Sequence, residues 1–217
     1  TLACLVVQFT IGFLFAMFFS RKFTLAGPIR GLVLVGYMTP MSVTALLGKN
    51  LFLLDGGVIN DLLMKVHLIS SPIDWLVNGG TALGAVIAVN CWVGIPFNML
   101  LLTSGLTGIS TDIYESASMD GANAFKRFIY ITLPLMKPAM LSVLMLGFIY
   151  TFKAFDLMYI MTAGGPFNST DVLGTYAYSK AFTQYEFSQG SAIAMVLFAC
   201  LFLVGIFYLK LLSKEDD

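Results

Sequence analysis

Tyr114-Glu115-Ser116-Ala117-Ser118-Met119-Asp120-Gly121-Ala122-Asn123-Ala124-Phe125-Lys126-Arg127-Phe128, continuing through Ile129 to Pro134, is the longest polar, motif-like segment between strongly apolar blocks. Ser110 or Thr111 is suited to cap a helix here. Asp112 and Glu115 place negative charge in its first turn, where the helix dipole favours it. Gly121 then interrupts the helical pattern, as a tight turn requires. A second short helix follows, with Phe125, Phe128 and Ile129 on one face and Pro134 and Pro138 marking its end. The segment 110–134 is predicted to be a helix–glycine turn–helix elbow at one membrane face, shaped to offer a knob to a partner's cleft.

What flanks the elbow is membrane-like. Of 217 residues, 58% are hydrophobic and only 11% charged, against about one quarter charged in soluble domains. The predicted fold is all-α, a polytopic transmembrane helix bundle forming a single domain over 1–217. A formal net charge of +0 gives no overall field for nucleic acid. Cys4, Cys91 and Cys200 lie in apolar runs without metal-ligand spacing, so packing is their expected role, and the lone His67 makes no metal site by itself. The chain starts at Thr1 without a basic n-region, so a signal peptide is not expected and a further upstream helix is. Gly48-Lys49 is followed by Asn50 and lacks the preceding glycine of a nucleotide-binding loop, so no ATP or other cofactor is expected on this chain.

A span needs about 20 apolar residues. Five are predicted: 1–20, 31–48 with Pro40 as a kink, 83–102 containing Gly94 and Pro96, 138–160, and 187–209. Between the second and third, Ile59 to Val66 has helical periodicity and Trp75 suits an interfacial anchor. A polar loop over 161–189 opens with Gly164-Gly165-Pro166 and holds a short helix from Tyr176 to Phe182. Arg21, Lys22, Arg30, Lys126, Arg127, Lys137, Lys210 and Lys214 fall on one side of these spans, and Lys49, Lys65 and Lys180 on the other. The excess of basic residues marks the first side, with the elbow, as cytoplasmic.

Polar residues within spans are the solute-pathway candidates. Lys153 and Asp156, three apart in the fourth predicted span, read either as a structural ion pair near the outer mouth or, with Tyr150, Phe152 and Tyr159, as a lining for solute. Aromatic faces beside hydrogen-bonding groups suit a sugar. Asn90, Trp92 and Asn98 in the third span read as interhelical partners or pore lining. No internal repeat points to an inverted-repeat carrier, and no Ser/His, paired-Asp or His-rich constellation inside the spans points to an enzyme. An ion-coupled carrier or channel is the alternative reading. Carriers use mid-span carboxylates, whereas Asp156 here has a lysine neighbour.

Glu115-Ser116-Ala117, then Gly121 after three residues, then Ile131, Leu133 and Pro134 after nine more, resembles E-A-A-x3-G-x9-I-x-L-P. This EAA motif is the cytoplasmic coupling-loop signature of the integral-membrane permeases of ABC importers. Ser116 replaces an alanine, a small and helix-tolerant exchange. Phe155-Asp156-Leu157-Met158-Tyr159-Ile160-Met161-Thr162-Ala163-Gly164-Gly165-Pro166, with Thr170 beyond, resembles the F-D-x-x-y-x-x-T-x-G-G-P-x-x-x-T stretch of the carbohydrate-uptake branch. Ile73 to Leu76 and Trp92 to Asn98 fit the same branch. The resemblance implies a type I importer permease: a non-enzymatic, multi-pass subunit in a bacterial or archaeal cytoplasmic membrane, forming half of a pathway for a sugar or sugar-like solute. It implies a second, paralogous permease, a cytoplasmic ATPase dimer holding ATP and Mg²⁺, and an extracytoplasmic solute-binding protein. The coupling residues it implies are Glu115, Ser116, Ala117, Gly121, Ile131, Leu133 and Pro134. Glu115 is expected to contact the ATPase, and Asp120 to contact it or to serve the turn.

Overall fold

The computed structural model describes residues 1–20 and 23–213. Arg21, Lys22 and Lys214, which contribute to the predicted charge bias, lie outside the described residues. The helices are α1 (Leu2–Phe19), α2 (Ala26–Met38), α3 (Met41–Leu51), α4 (Val58–Lys65), α5 (Gly79–Thr107), α6 (Thr111–Met119), α7 (Ala124–Arg127), α8 (Leu133–Phe152), α9 (Asp156–Thr162), α10 (Leu173–Tyr178) and α11 (Phe187–Ser213). Wider π-turns at Phe128–Thr132 and Ser179–Thr183 extend α7 and α10. No strand occurs among the described residues. Among the described residues, four helical stretches are long and apolar enough to cross a membrane, or five if a bent pair counts as one.

That bent pair is the predicted second span. α2 and α3 meet at 95°, so the expected kink is a full break. Pro40 sits just before α3 with φ −55°, and a proline drives the residue before it out of the helical region. The predicted third span is longer at both ends, and Pro96 lies within α5. The fourth is displaced. Its apolar helical run begins at Ala124 and stops at Phe152. Residues 153–155 break it, and α9 is a separate short helix.

The chain forms two compact units. One comprises residues 1–37, 93–149 and those from 204 onward. A Cβ added at Gly12 would fall 2.6 Å from the Asn98 Cβ, and one at Gly94 would fall 2.2 Å from the Gln8 side chain. Ascending numbers on α1 meet ascending numbers on α5, so these helices run parallel. α8 runs antiparallel to both: its Met136 and Ala139 meet Gly105, while its Gly147 meets Leu5. The Ser142 and Tyr208 hydroxyls, 2.6 Å apart, and the Gly205–Met145 approach make the last turns of α11 antiparallel to α8. Ser20, Thr107, Leu133 and Lys210 therefore gather at one end of this unit. Lipid removes most of the hydrophobic drive between helices, so association relies on small residues that admit close backbone approach. Gly12, Gly94 and Gly105 have that role here, around a core of Ala16, Leu102, Met136 and Val143.

The other unit comprises residues 38–92 and 150–203. α3 packs on α9, and Ala45, Ala85, Val86, Val89, Leu157, Met158 and Met161 form its core. The connection after α3 is tied together by one side chain, the buried Asn60 carboxamide. Its Nδ2 donates to the Leu53, Leu54 and Ile73 carbonyls, and its Oδ1 accepts from the Ile73 N–H and Trp75 Nε1.

Candidate functional site: the elbow and the polar break after α8

Ser110 caps α6, its hydroxyl accepting from the Asp112 N–H at 3.3 Å. α6 ends at Met119, and Gly121 follows with φ +78°, a left-handed turn that side chains resist. Asn123 then caps α7, its Oδ1 accepting the Lys126 N–H at 2.9 Å. The helix–glycine–helix elbow is formed as its residues dictate.

Its exit differs from expectation. The second short helix does not end at Pro134 or Pro138. It passes through a π-turn, with the Leu133 N–H on the Phe128 carbonyl, straight into α8. Pro134 lies inside this continuous run, directly after the π-turn. Pro138 is accommodated inside the helix, as prolines are in membrane helices. The elbow is thus continuous with a membrane span.

Glu115, Ser116, Asp120 and Gly121 are exposed, Ala117, Ile131 and Leu133 are half-buried, and Pro134 is exposed. Two large apolar side chains accompany them at the tip: Met119 is 89% and Phe125 69% exposed. Phe125 is expected on an apolar face from its spacing with Phe128 and Ile129, whereas Met119 belongs to no such pattern. Its place next to the glycine turn was the available signal.

The structure separates the solute-pathway candidates. Asn90 and Asn98 are buried within the chain, Asn98 donating Nδ2–H to the Gly94 carbonyl at 2.8 Å. Trp92, Tyr150, Lys153, Asp156 and Tyr159 are exposed. Lys153 and Asp156 do not share a helix face and make no ion pair. Lys153 follows the C-terminus of α8, and Asp156 opens α9. Each charge therefore sits at the helix end whose dipole favours it. The Lys153 ammonium lies 5.0 Å from the centre of the Tyr150 ring, within cation–π range.

Beyond the break runs an aromatic ladder. Phe155 stacks on Tyr159 at 5.2 Å, Tyr159 meets Tyr178 edge-on at 4.9 Å, and Tyr178 contacts Phe182 at 5.1 Å. Phe155, Tyr178, Phe182 and Phe187 border an open cavity of about 400 Å³. No group of three or more His, Cys, Asp or Glu residues able to hold a metal occurs among the described residues.

Long apolar helices, one of them continuous with an exposed elbow turned at Gly121, define an integral-membrane helix bundle. Residues 8–214 match the family described as binding-protein-dependent transport system inner membrane component, and the chain belongs to that family. It is 31% identical over 188 residues to a probable ABC transporter permease of Brucella suis, covering 87% of this chain and 65% of that protein. It is 32% identical over 200 residues to the trehalose/maltose transport system permease protein MalF of Thermococcus litoralis, covering 92% and 67%. The chain thus spans about two thirds of the length of these relatives. Its fold is that of a bacterial ABC transporter that imports the acidic polysaccharide alginate, with TM-score 0.85 at 18% identity over 99% of this chain and 78% of that one. The alginate transporter solved with an alginate pentasaccharide-bound periplasmic protein gives TM-score 0.81 at 18% identity, covering 94% and 74%.

Proposed function

We propose that this chain is the membrane-spanning subunit of an ATP-driven importer, forming half of a pathway for a sugar or sugar-like solute and passing the motion of a separate cytoplasmic ATPase to its spans. The observation that carries the reading is the elbow: a turn locked by Gly121, exposed acidic and apolar groups at its tip, and an unbroken helical path into α8. A push on such a tip moves a span rather than a loop. The partners are a cytoplasmic ATPase dimer that binds ATP and Mg²⁺, a second permease and an extracytoplasmic solute-binding protein. Support comes from family membership, from the relative named for trehalose and maltose, and from the fold shared with an importer solved with its periplasmic protein.

On this reading the elbow faces the cytoplasm of a bacterial or archaeal cell. Support lies in Arg30, Lys126, Arg127, Lys137 and Lys210, which belong to the unit whose helix ends gather beside the elbow. The solute path runs past the exposed Tyr150, Lys153 and Asp156 and along the aromatic ladder. Charge facing lipid is expensive, which favours an aqueous or partner-facing position for Lys153 and Asp156.

The test is co-purification with the ATPase and solute-stimulated ATP hydrolysis. Glu115→Lys and Gly121→Val should leave the bundle inserted and abolish stimulation, while Gly121→Asn should retain more of it. A Cβ at Gly121 meets nothing within 4 Å, so only left-handed strain of about 1–3 kcal/mol separates Val from Asn. Full stimulation in both Glu115→Lys and Gly121→Val would reduce the elbow to a connector.

A further inference from the structure

We infer that Tyr114, Ser118, Arg127 and Thr132 form a brace across the elbow, and that they are positioning residues setting the angle between its tip and α8. The inference rests on the elbow being the ATPase-coupling element. Its starting point is that the turn is not held by packing at its apex: Met119 and Asp120 are exposed, as is Gly121, which has open space around it. An elbow with a bare apex transmits force only if its two arms are tied together elsewhere.

Besides the backbone bond from the Ala122 N–H to the Ala117 carbonyl at 2.9 Å, two side-chain ties cross the glycine turn. The Arg127 guanidinium donates through Nη1 to Ser118 Oγ at 2.8 Å, and the Ser118 hydroxyl donates to the Tyr114 carbonyl at 2.6 Å. The Tyr114 hydroxyl lies 3.0 Å from Thr132 Oγ1, and the Thr132 hydroxyl donates to the Arg127 carbonyl at 3.4 Å. A threonine hydroxyl has one proton, so with that proton on Arg127 the Tyr114 hydroxyl donates to Thr132. The two ties form one circuit, 114–118–127–132, joining α6 to the far side of the turn.

The circuit closes on the π-turn. Thr132 is its last residue and is buried, and the next N–H, that of Leu133, bonds the Phe128 carbonyl five residues back. Such wide turns are rare and cluster at functional sites. Slipping one residue to ordinary helical register would rotate everything before it by about 100° relative to α8. The elbow tip would then point elsewhere. A cavity of about 300 Å³ behind the brace, bordered by Met17, Leu106, Tyr114, Arg127, Phe128 and Thr132, gives the elbow room to rock once the ties are cut.

The experiment uses the transporter assembled with its second permease, ATPase and binding protein in proteoliposomes. It reads solute imported per ATP hydrolysed, together with the amount of ATPase retained. Tyr114→Phe and Thr132→Val each remove one hydroxyl with little change of shape. Each should lower the ratio about fivefold, the equivalent of one lost hydrogen bond. The double variant should be no worse than Thr132→Val alone, because that substitution already removes the only bond Tyr114→Phe cuts here. Thr132→Ser should restore the wild-type ratio. ATPase retention should stay normal throughout. An unchanged ratio in Tyr114→Phe and Thr132→Val, or a loss that only follows lost ATPase, overturns the brace while leaving the coupling role standing. Failure of the wild-type chain to retain any ATPase instead overturns the coupling role and the brace with it.

Discussion

Asn60 is 1% exposed, and its single carboxamide serves three carbonyls and two N–H groups between Leu53 and Trp75. Nothing in the sequence around it, Ile59-Asn60-Asp61, distinguishes it from an ordinary helix residue. Trp75 was legible as an interfacial residue, but its indole partner lies fifteen residues back and no local pattern encodes that distance. Asn60→Leu strands the Ile73 N–H and the Trp75 indole N–H. Each costs about 1–3 kcal/mol when left buried and unpaired. Trp75→Phe removes one bond and leaves the rest of the hub intact. The expected outcome is a large drop in thermal stability in detergent for Asn60→Leu, with early protease cleavage within 53–75, and a smaller drop for Trp75→Phe. Equal melting of Asn60→Leu and wild type would remove Asn60 from this role.

At the scale of elements, the apolar runs were readable because a membrane demands length and hydrophobicity, and both are local properties. Where helices break was less readable. Pro134 and Pro138 suggested an end, yet the helix continues. Residues 153–155 contain neither glycine nor proline, yet the helix stops there. In a bundle, packing and helix-end electrostatics decide such points as much as propensity does. Helix contacts were hidden for the same reason, since the α1–α5 seam rests on single glycines, Gly12 and Gly94, that each face a larger polar residue of the other helix, Asn98 and Gln8. Gly12→Val should disrupt it, because even a Cβ there falls 2.6 Å from Asn98, and overpacking typically costs about 1–3 kcal/mol. Gly31→Val is the control, with nothing within 4 Å of its added Cβ. Thermal unfolding and yield of folded protein should fall for the first and not for the second. Equal loss in both would mean that valine at a helical glycine is harmful regardless of contact.

For the whole molecule, the proposed reading puts the elbow and the excess of basic residues at one cytoplasmic end, and the parallel α1–α5 and antiparallel α8 contacts gather Ser20, Thr107, Leu133 and Lys210 beside that elbow. A helical run of 29 residues, Ala124–Phe152, is about 43 Å long at 1.5 Å per residue. A hydrocarbon core of about 30 Å is crossed once by such a run, and the proposed topology therefore predicts that Asn168 is reached from the side opposite Lys126. Both residues are exposed. Single cysteines at Lys126 and Asn168, in a background with Cys4, Cys91 and Cys200 replaced, should therefore react with a membrane-impermeant thiol reagent from opposite faces. The Asn168 site should be labelled in intact cells from outside. The Lys126 site should be labelled only after the inner face is opened, and ATPase bound to the elbow should slow that reaction. Labelling of Lys126→Cys from outside would reverse the molecule in the membrane and place the elbow where no cytoplasmic ATPase reaches it.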